Sequence, residues 1–352
     1  MPMPVVRALI ELSRNLYQTM LMNINDTNKK VYPKIVVIGG GTGVFTVLSG
    51  LRNYPVDLTA IISMSDDGGS TGALREEFGI LPPGDVRRAL VALAHTDNRL
   101  LSELFNYRFE EGQLKGHAFG NIMLTALERM TGNFESALDE AGRILNVQGR
   151  VIPVTLDNIR LCAELENGEI VKGETNIDIP KHDPNIRIKK VYLEPKTYAN
   201  PRALDSILKA DLVILGPGDL FTSVVPNLLV KGIPTAIKKS KAKKVYVVSS
   251  MTKPGETNNF SANDFLNVLE KYLGTGILDY IVINTKKPPL PRLKDYTTEG
   301  KMMVEAENLP GATGNGQTIP PKPTPIYGDF IRKSGFVRHD PEKLARVLVS
   351  LI

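Results

Sequence analysis

Apolar positions along the chain follow two rhythms. Short unbroken runs rich in β-branched residues alternate with stretches in which apolar residues return every three or four positions. The runs Lys34–Ile38, Asp57–Met64, Asp211–Leu215, Lys243–Val248 and Leu278–Ile283 read as buried strands, because a parallel strand is covered on both faces and needs no polar side. The helical rhythm falls on 86–94, 122–130, 134–145, 201–209, 261–272 and 340–352. Asp85 stands where it would cap the first of these, and Asp340 with Pro341 opens the last. Strands alternating with helices predict an α/β fold on a mainly parallel sheet.

Three stretches break the alternation. From Arg150 the texture turns to β, with strands expected at 151–155, 161–165, 169–171 and 186–193, and Asn167-Gly168 is a hairpin turn signal. Residues 151–195 are therefore expected as a β-rich insertion carrying a β-hairpin. Residues 288–325 are rich in proline, glycine and lysine without clear periodicity, which predicts a mobile loop or lid. Residues 1–30 form an extension in which Val5, Leu9, Leu12, Leu16 and Met20 recur at helical spacing. It lacks the long apolar segment and cleavage site of a signal peptide, and Met20 and Met22 could serve as internal starts.

The expected strands end in glycine turns. Gly39, Gly40, Gly41, Thr42 and Gly43 follow the first, and Asp66, Asp67, Gly68, Gly69, Ser70 and Thr71 follow the second. Gly216, Pro217, Gly218 and Asp219 follow a third, with Thr222 and Ser223 just beyond. Ligands of open α/β sheets lie at the carboxyl ends of the strands, so these turns are expected to line one crevice. Glycine lets a phosphate approach backbone N–H groups without meeting a Cβ. The first turn is neither a P-loop nor a strict dinucleotide fingerprint, since Thr46 occupies the third glycine position. Arg87 and Arg88 in a first helical turn run against the macrodipole and suit an anion nearby, or are ordinary surface arginines. His117 and Asn121 precede another helix, where His117 alone would serve structure as readily as binding. Pro226 fits the first turn of a short helix with Gly232 just past its end, and Thr252, Lys253, Thr257 and Asn258 lie on a loop at a strand's carboxyl end.

Composition narrows the class. The chain of 352 residues suits an α/β unit with an elaborated core. No apolar run approaches the roughly 20 residues that a bilayer requires. A single cysteine, Cys162, excludes an internal disulfide and suits a reducing compartment. The net charge of +5 gathers in Lys238–Lys244 and around Lys286, Lys287, Arg292 and Lys294 without interleaved aromatics. A solvated lysine run is expected there rather than a nucleic-acid module.

GGGTG at Gly39, SDDGGSTG at Ser65, LPPGDVRRAL at Leu81, HAFGN at His117, GPGDLFTSVVPNLL at Gly216 and MTKPGET at Met251 together resemble the gluconeogenesis factor family, the YvcK-like proteins, related to the CofD-like phospholactate transferases. The resemblance runs from about Lys34 to the last helix. It implies a Rossmann-like three-layer core over 31–352, a cytoplasmic location, and a role in growth and cell shape on gluconeogenic carbon sources. It also implies binding of UDP-sugars such as UDP-N-acetylglucosamine. The family signature falls on Gly40, Gly41, Thr42 and Gly43, with Asp66, Asp67, Asn121 and Gly218 in matching motifs.

The resemblance leaves catalysis open. A regulatory binder requires no cofactor, whereas a CofD-like transferase would move phospholactate from a guanosine diphosphate donor to a deazaflavin alcohol with magnesium on Asp66 or Asp67. Adjacent carboxylates of an extended chain point to opposite sides, so one of the two would be the direct ligand. An oxidoreductase using a nicotinamide dinucleotide is the third class, without a recognisable hydride-transfer constellation. A homo-oligomer and a regulatory protein partner are compatible with the sequence.

Overall fold

The glycine-terminated runs become neighbouring strands of one seven-stranded sheet. The computed structural model describes residues 32–95, 99–306 and 322–352. The expected extension at 1–30 lies outside them, and the unit described is Pro33–Ile352. In chain order the elements are β1 (Lys34–Gly39), α1 (Gly41–Leu51), β2 (Asp57–Ile62), α2 (Gly69–Phe78), α3 (Pro83–Leu93), α4 (Arg99–Asn106), α5 (Phe119–Thr131), α6 (Phe134–Ile144) and β3 (Arg150–Pro153). The insertion follows, with β4 (Arg160–Leu165), β5 (Ile170–Lys172), α7 (Glu174–Asp178) and β6 (Ile188–Glu194). The α/β pattern then resumes with α8 (Pro201–Leu208), β7 (Leu212–Leu215), a π-helical turn (Leu220–Val224), α9 (Val225–Leu229), α10 (Ile233–Lys239) and β8 (Lys243–Val247). It closes with α11 (Ala262–Leu273), β9 (Tyr280–Asn284), α12 (Leu290–Thr298), β10 (Thr324–Gly328) and α13 (Pro341–Val349).

The sheet order is β10-β9-β8-β7-β1-β2-β3, and every neighbouring pair is parallel. Successive residues Ile35, Val36, Val37 and Ile38 of β1 are all buried, as are Leu212 to Leu215 of β7. Burial of consecutive strand residues means that both faces are covered by helices, which is the three-layer Rossmann-like arrangement. The chain builds outward from β1 through β2 to β3, then returns to place β7 on the other side of β1. That reversal makes the β1/β7 edge the topological switch point.

The insertion is a three-stranded antiparallel sheet, β5-β4-β6, rather than a hairpin alone. Three expectations need correction. Within 288–325, expected as a mobile loop or lid, the described residues hold helix α12 and the start of strand β10, and residues 307–321 lie outside the described residues. Pro291 sits in the first turn of α12, where it costs no hydrogen bond, and Pro325 lies on an edge strand, where a missing donor is tolerated. Gly232 does not end the helix at Pro226, which stops at Leu229, but opens α10 at φ +105°. The lysine run therefore begins on a helix, with Lys238 and Lys239 in the last turn of α10, where the dipole favours cations. Asp85 does not cap α3. That helix starts at Pro83 without a side-chain cap, and the Asp85 carboxylate is turned toward the β1 turn.

Candidate functional site

Parallel pairing fixes where the glycine turns emerge. Gly39 pairs in register with Ile62, and Ile38 with Leu215, so the chain leaves β1, β2 and β7 at the same rim. The first and third turns touch. A Cβ on Gly43 would stand 1.9 Å from the Pro217 carbonyl oxygen, which only glycine permits. Gly41 at φ +63° and Gly216 at φ +70° occupy the left-handed region. A cavity of about 720 Å³ opens beside this junction. Thr42, Gly43, Thr46, Gly218 and Ser249 line it. So do residues of α12 and of the segment 335–339, among them Phe336, Arg338 and His339.

Gly40, Gly41 and the β2-turn residues do not line this cavity; they gather around a pair of carboxylates. Gly41 N–H donates to Asp85 Oδ2 at 2.8 Å, so an internal carboxylate sits at the start of α1, where a phosphate was expected. A Cβ on Gly40 would meet that same oxygen at 2.7 Å and Ser223 Cβ at 3.7 Å, which places Ser223 beside it. Asp66 lies against Gly84, the residue before Asp85, and accepts the N–H of Gly68 at 3.0 Å. Burial first, and the charge of Asp66 second, push Asp85 up to about 6. Burial likewise raises Asp66. Burial and the carboxylates of Asp178, Asp66, Asp85 and Asp67 push Glu174 up to about 9. Asp67 turns the other way and accepts the N–H groups of Glu174 and Thr175, which fastens α7 of the insertion to the β2 turn. Gly69 opens α2 at φ +41°.

Arg87 and Arg88 part company. Arg88 is exposed and pairs with Asp85 at 3.6 Å. Arg87 is buried, and its guanidinium is shared among Asn121 Oδ1, the Phe105 carbonyl and Asn106 Oδ1. Desolvation draws it down to about 10, and it serves as a tie between α3, α4 and α5. Asn121 in turn donates to Ser70 Oγ, which is hydrogen-bonded to His117 Nδ1 at 3.2 Å. These four expected site residues form one chain of polar contacts at the start of α2.

A second acidic group lies at the cavity's edge. Among the described residues, Asp178, Asp219 and Glu256 offer oxygens close enough to share a cation. Lys253 already supplies one, pairing with Asp178, with Asp219 at 2.9 Å and with Glu256 at 3.1 Å. Burial alone would lower this ammonium, but the three carboxylates outweigh it and hold it above the usual range. Glu256 is 2 % exposed, and burial pushes it up to about 8. It accepts from Phe221 N–H and Thr222 Oγ1, which places Thr222 in the same network and anchors the π-helical turn. Thr252 and Lys253 do face the cavity. Thr257 and Asn258 instead hold their own loop, accepting from Lys253 N–H and Gly255 N–H.

Several of these groups carry no local sequence signal. Asp85 reads as a helix cap until β1 and α3 are brought together, and Arg292, Tyr296, Phe336 and His339 come from segments without motif or periodicity. Among the described residues, no helix is long and apolar enough to cross a membrane.

The family model for 2-phospho-L-lactate transferase CofD matches residues 35–318. A relative from Clostridium acetobutylicum is 45% identical over 326 residues, covering 91% of this chain and 70% of that protein. The gluconeogenesis factor of Bacillus subtilis is 40% identical over 322 residues, covering 91% of this chain and 98% of that protein. A crystal structure of a UPF0052 family member from Bacillus halodurans superposes with a TM-score of 0.84 at 38% identity, covering 91% of this chain and 99% of that one. Extent and identity together place the chain in the gluconeogenesis factor family of the CofD-like superfamily.

Proposed function

We propose that this protein is a cytoplasmic regulatory protein that binds a nucleotide-sugar, of the UDP-N-acetylglucosamine type, in the cavity at the switch point, and that it acts in growth and cell shape on gluconeogenic carbon sources. One observation carries the reading. The β1 and β7 turns meet at Gly43 and Pro217, and a cavity of about 720 Å³ opens on that junction. That volume falls in the range of small-molecule sites, and its place is where α/β sheets bind ligands. Thr42 and Gly43 in the first turn of α1 and Ser249 just past β8 line the cavity, and the Thr42 and Ser249 hydroxyls, rather than the Gly41 N–H already held by Asp85, support placing the diphosphate there.

The Asp66/Asp85 pair supports a second reading, a magnesium-dependent transferase of the CofD type. Burial raises the carboxylates of Asp66 and Asp85, the charge of the first raises the second further, and oxygen donors of this kind are what a divalent cation takes. Asp66 with Asp85, rather than Asp67, would hold the ion, which when bound neutralises charge on a diphosphate leaving group.

Calorimetry with UDP-N-acetylglucosamine tests the first reading. Thr42→Ala should weaken binding by about 1 kcal/mol, roughly five-fold, through loss of one polar contact. Unchanged affinity would remove Thr42 from the site, and absence of binding to the native chain would remove the reading. Product from the guanosine diphosphate donor, deazaflavin alcohol and magnesium would move the assignment to the transferase.

A further inference from the structure

Phe336 lines the cavity and is 68% exposed. The segment that carries it is held from several sides. Ile331 and His339 form an antiparallel bridge, and Arg332 N–H donates to the Arg338 carbonyl. Arg292 of α12 donates to the carbonyls of Arg332, Lys333, Gly335 and Phe336, and Val337 N–H donates to Tyr296 Oη. The Arg338 guanidinium lies 5.0 Å from the Phe336 ring centroid, a cation–π contact that fixes the ring further.

We infer that Phe336 is the stacking platform for the heterocyclic base of the bound nucleotide. This rests on the nucleotide reading of the same cavity. The cavity draws on different elements for different chemistry: the β1, β7 and β8 turns offer glycine, threonine and serine, whereas the aromatic side chains that line it, Tyr296, Phe336 and His339, come from α12 and the segment 335–339. A diphosphate favours the hydroxyls, so the base is directed to the rings. Tyr296 is half-buried, with its hydroxyl engaged by Val337, and His339 is buried against Ser250, so Phe336 is the exposed ring of the three, with Arg338 over one face and the other left to a base. A ring already held in place stacks with little further ordering, and stacking tolerates any base because every base has a π-face. The structure therefore assigns base affinity to Phe336 and leaves discrimination among bases to other groups.

The test uses the full chain and UDP-N-acetylglucosamine, with affinity read by calorimetry and stacking read by the fall in uracil absorbance on binding. Phe336→Ala and Phe336→Leu should both bind roughly ten-fold more weakly and lose the absorbance change, while Phe336→Tyr keeps both. An exposed side chain tolerates these replacements, so thermal midpoints should stay together. If Phe336→Leu binds as well as the native chain, or if the native chain binds without an absorbance change, the inference is overturned while the nucleotide reading stands. If the native chain does not bind at all, both are overturned.

Discussion

Gly41 and Gly43 are two residues apart and are glycine for different reasons. Gly41 has a positive φ, and an added Cβ would meet only Ser223 Oγ at 3.7 Å, so Gly41→Ala carries backbone strain of about 1 kcal/mol. Gly43 has no such strain, but its missing side chain leaves room for the Pro217 carbonyl. Gly43→Ala must push the β1 and β7 turns apart, at a cost of about 2 kcal/mol or more. Urea titrations of the two variants should show the larger drop for Gly43→Ala, along with the loss of nucleotide binding. Equal drops would mean that the turns can separate freely. The glycine cluster itself was plain in the sequence. Which of its members meets another turn was not, because Pro217 lies 174 residues away from Gly43 and nothing local records that contact.

At the scale of elements, the insertion is joined to the crevice at points that come from different turns. Asp67 of the β2 turn caps α7, Lys253 of the β8 loop pairs with Asp178 at its end, and Asn258 Nδ2 donates to the Pro184 carbonyl. Lys253 is the common partner, since it also pairs with Asp219 and Glu256 on the core side. Lys253→Met leaves three carboxylates facing one another without their cation. Its side chain is 18% exposed, so solvent reduces the loss below that of a fully buried pair, to about 1–3 kcal/mol. Hydrogen exchange should rise in residues 173–187 and in the π-helical turn 220–224 before the rest of the sheet. Uniform exchange across the chain would show that Lys253 does not couple them. Elements with a strong rhythm, such as β1, β7, α11 and α13, were legible from the sequence. By contrast, α12 and β10 were hidden, because one has no buried residue and the other is an edge strand with a proline at its second position. Elements that bury little leave little periodicity to read.

Sheet order is a property of the whole molecule, and alternating patterns alone do not specify it. The return of β7 to the side of β1 is what brings the β1 and β7 turns together at one rim, where the cavity opens, while the β2 turn gathers with the carboxylates and does not line it. That concentration of buried ionisable groups has a consequence for stability, because its members titrate with opposite signs. Burial holds His339 down to about 4, against about 6.5 in an unfolded chain. Between those values the unfolded chain takes a proton that the folded one refuses, so stability falls as pH drops from about 6.5 toward 4, by at most about 3 kcal/mol. Glu256 does the reverse. Its carboxyl is raised to about 8 by burial, so the folded chain keeps a proton that the unfolded chain releases above about 4.5. Its contribution is present below about 4.5 and is lost as pH rises through about 8, and Asp85 and Glu174 carry the same sign. Below about 6.5 the two effects oppose each other, and above it the carboxyl effect stands without that opposition. Thermal melts should therefore show the midpoint falling from pH 6.5 to 8.5. Glu256→Gln should shrink that fall by keeping a neutral group in place, and His339→Asn should leave it intact while removing the acid-side slope between pH 4 and 6.5. A native chain whose midpoint rises through pH 8.5 would mean that Glu256 is ionised throughout and that Lys253 alone sets the charge of its network.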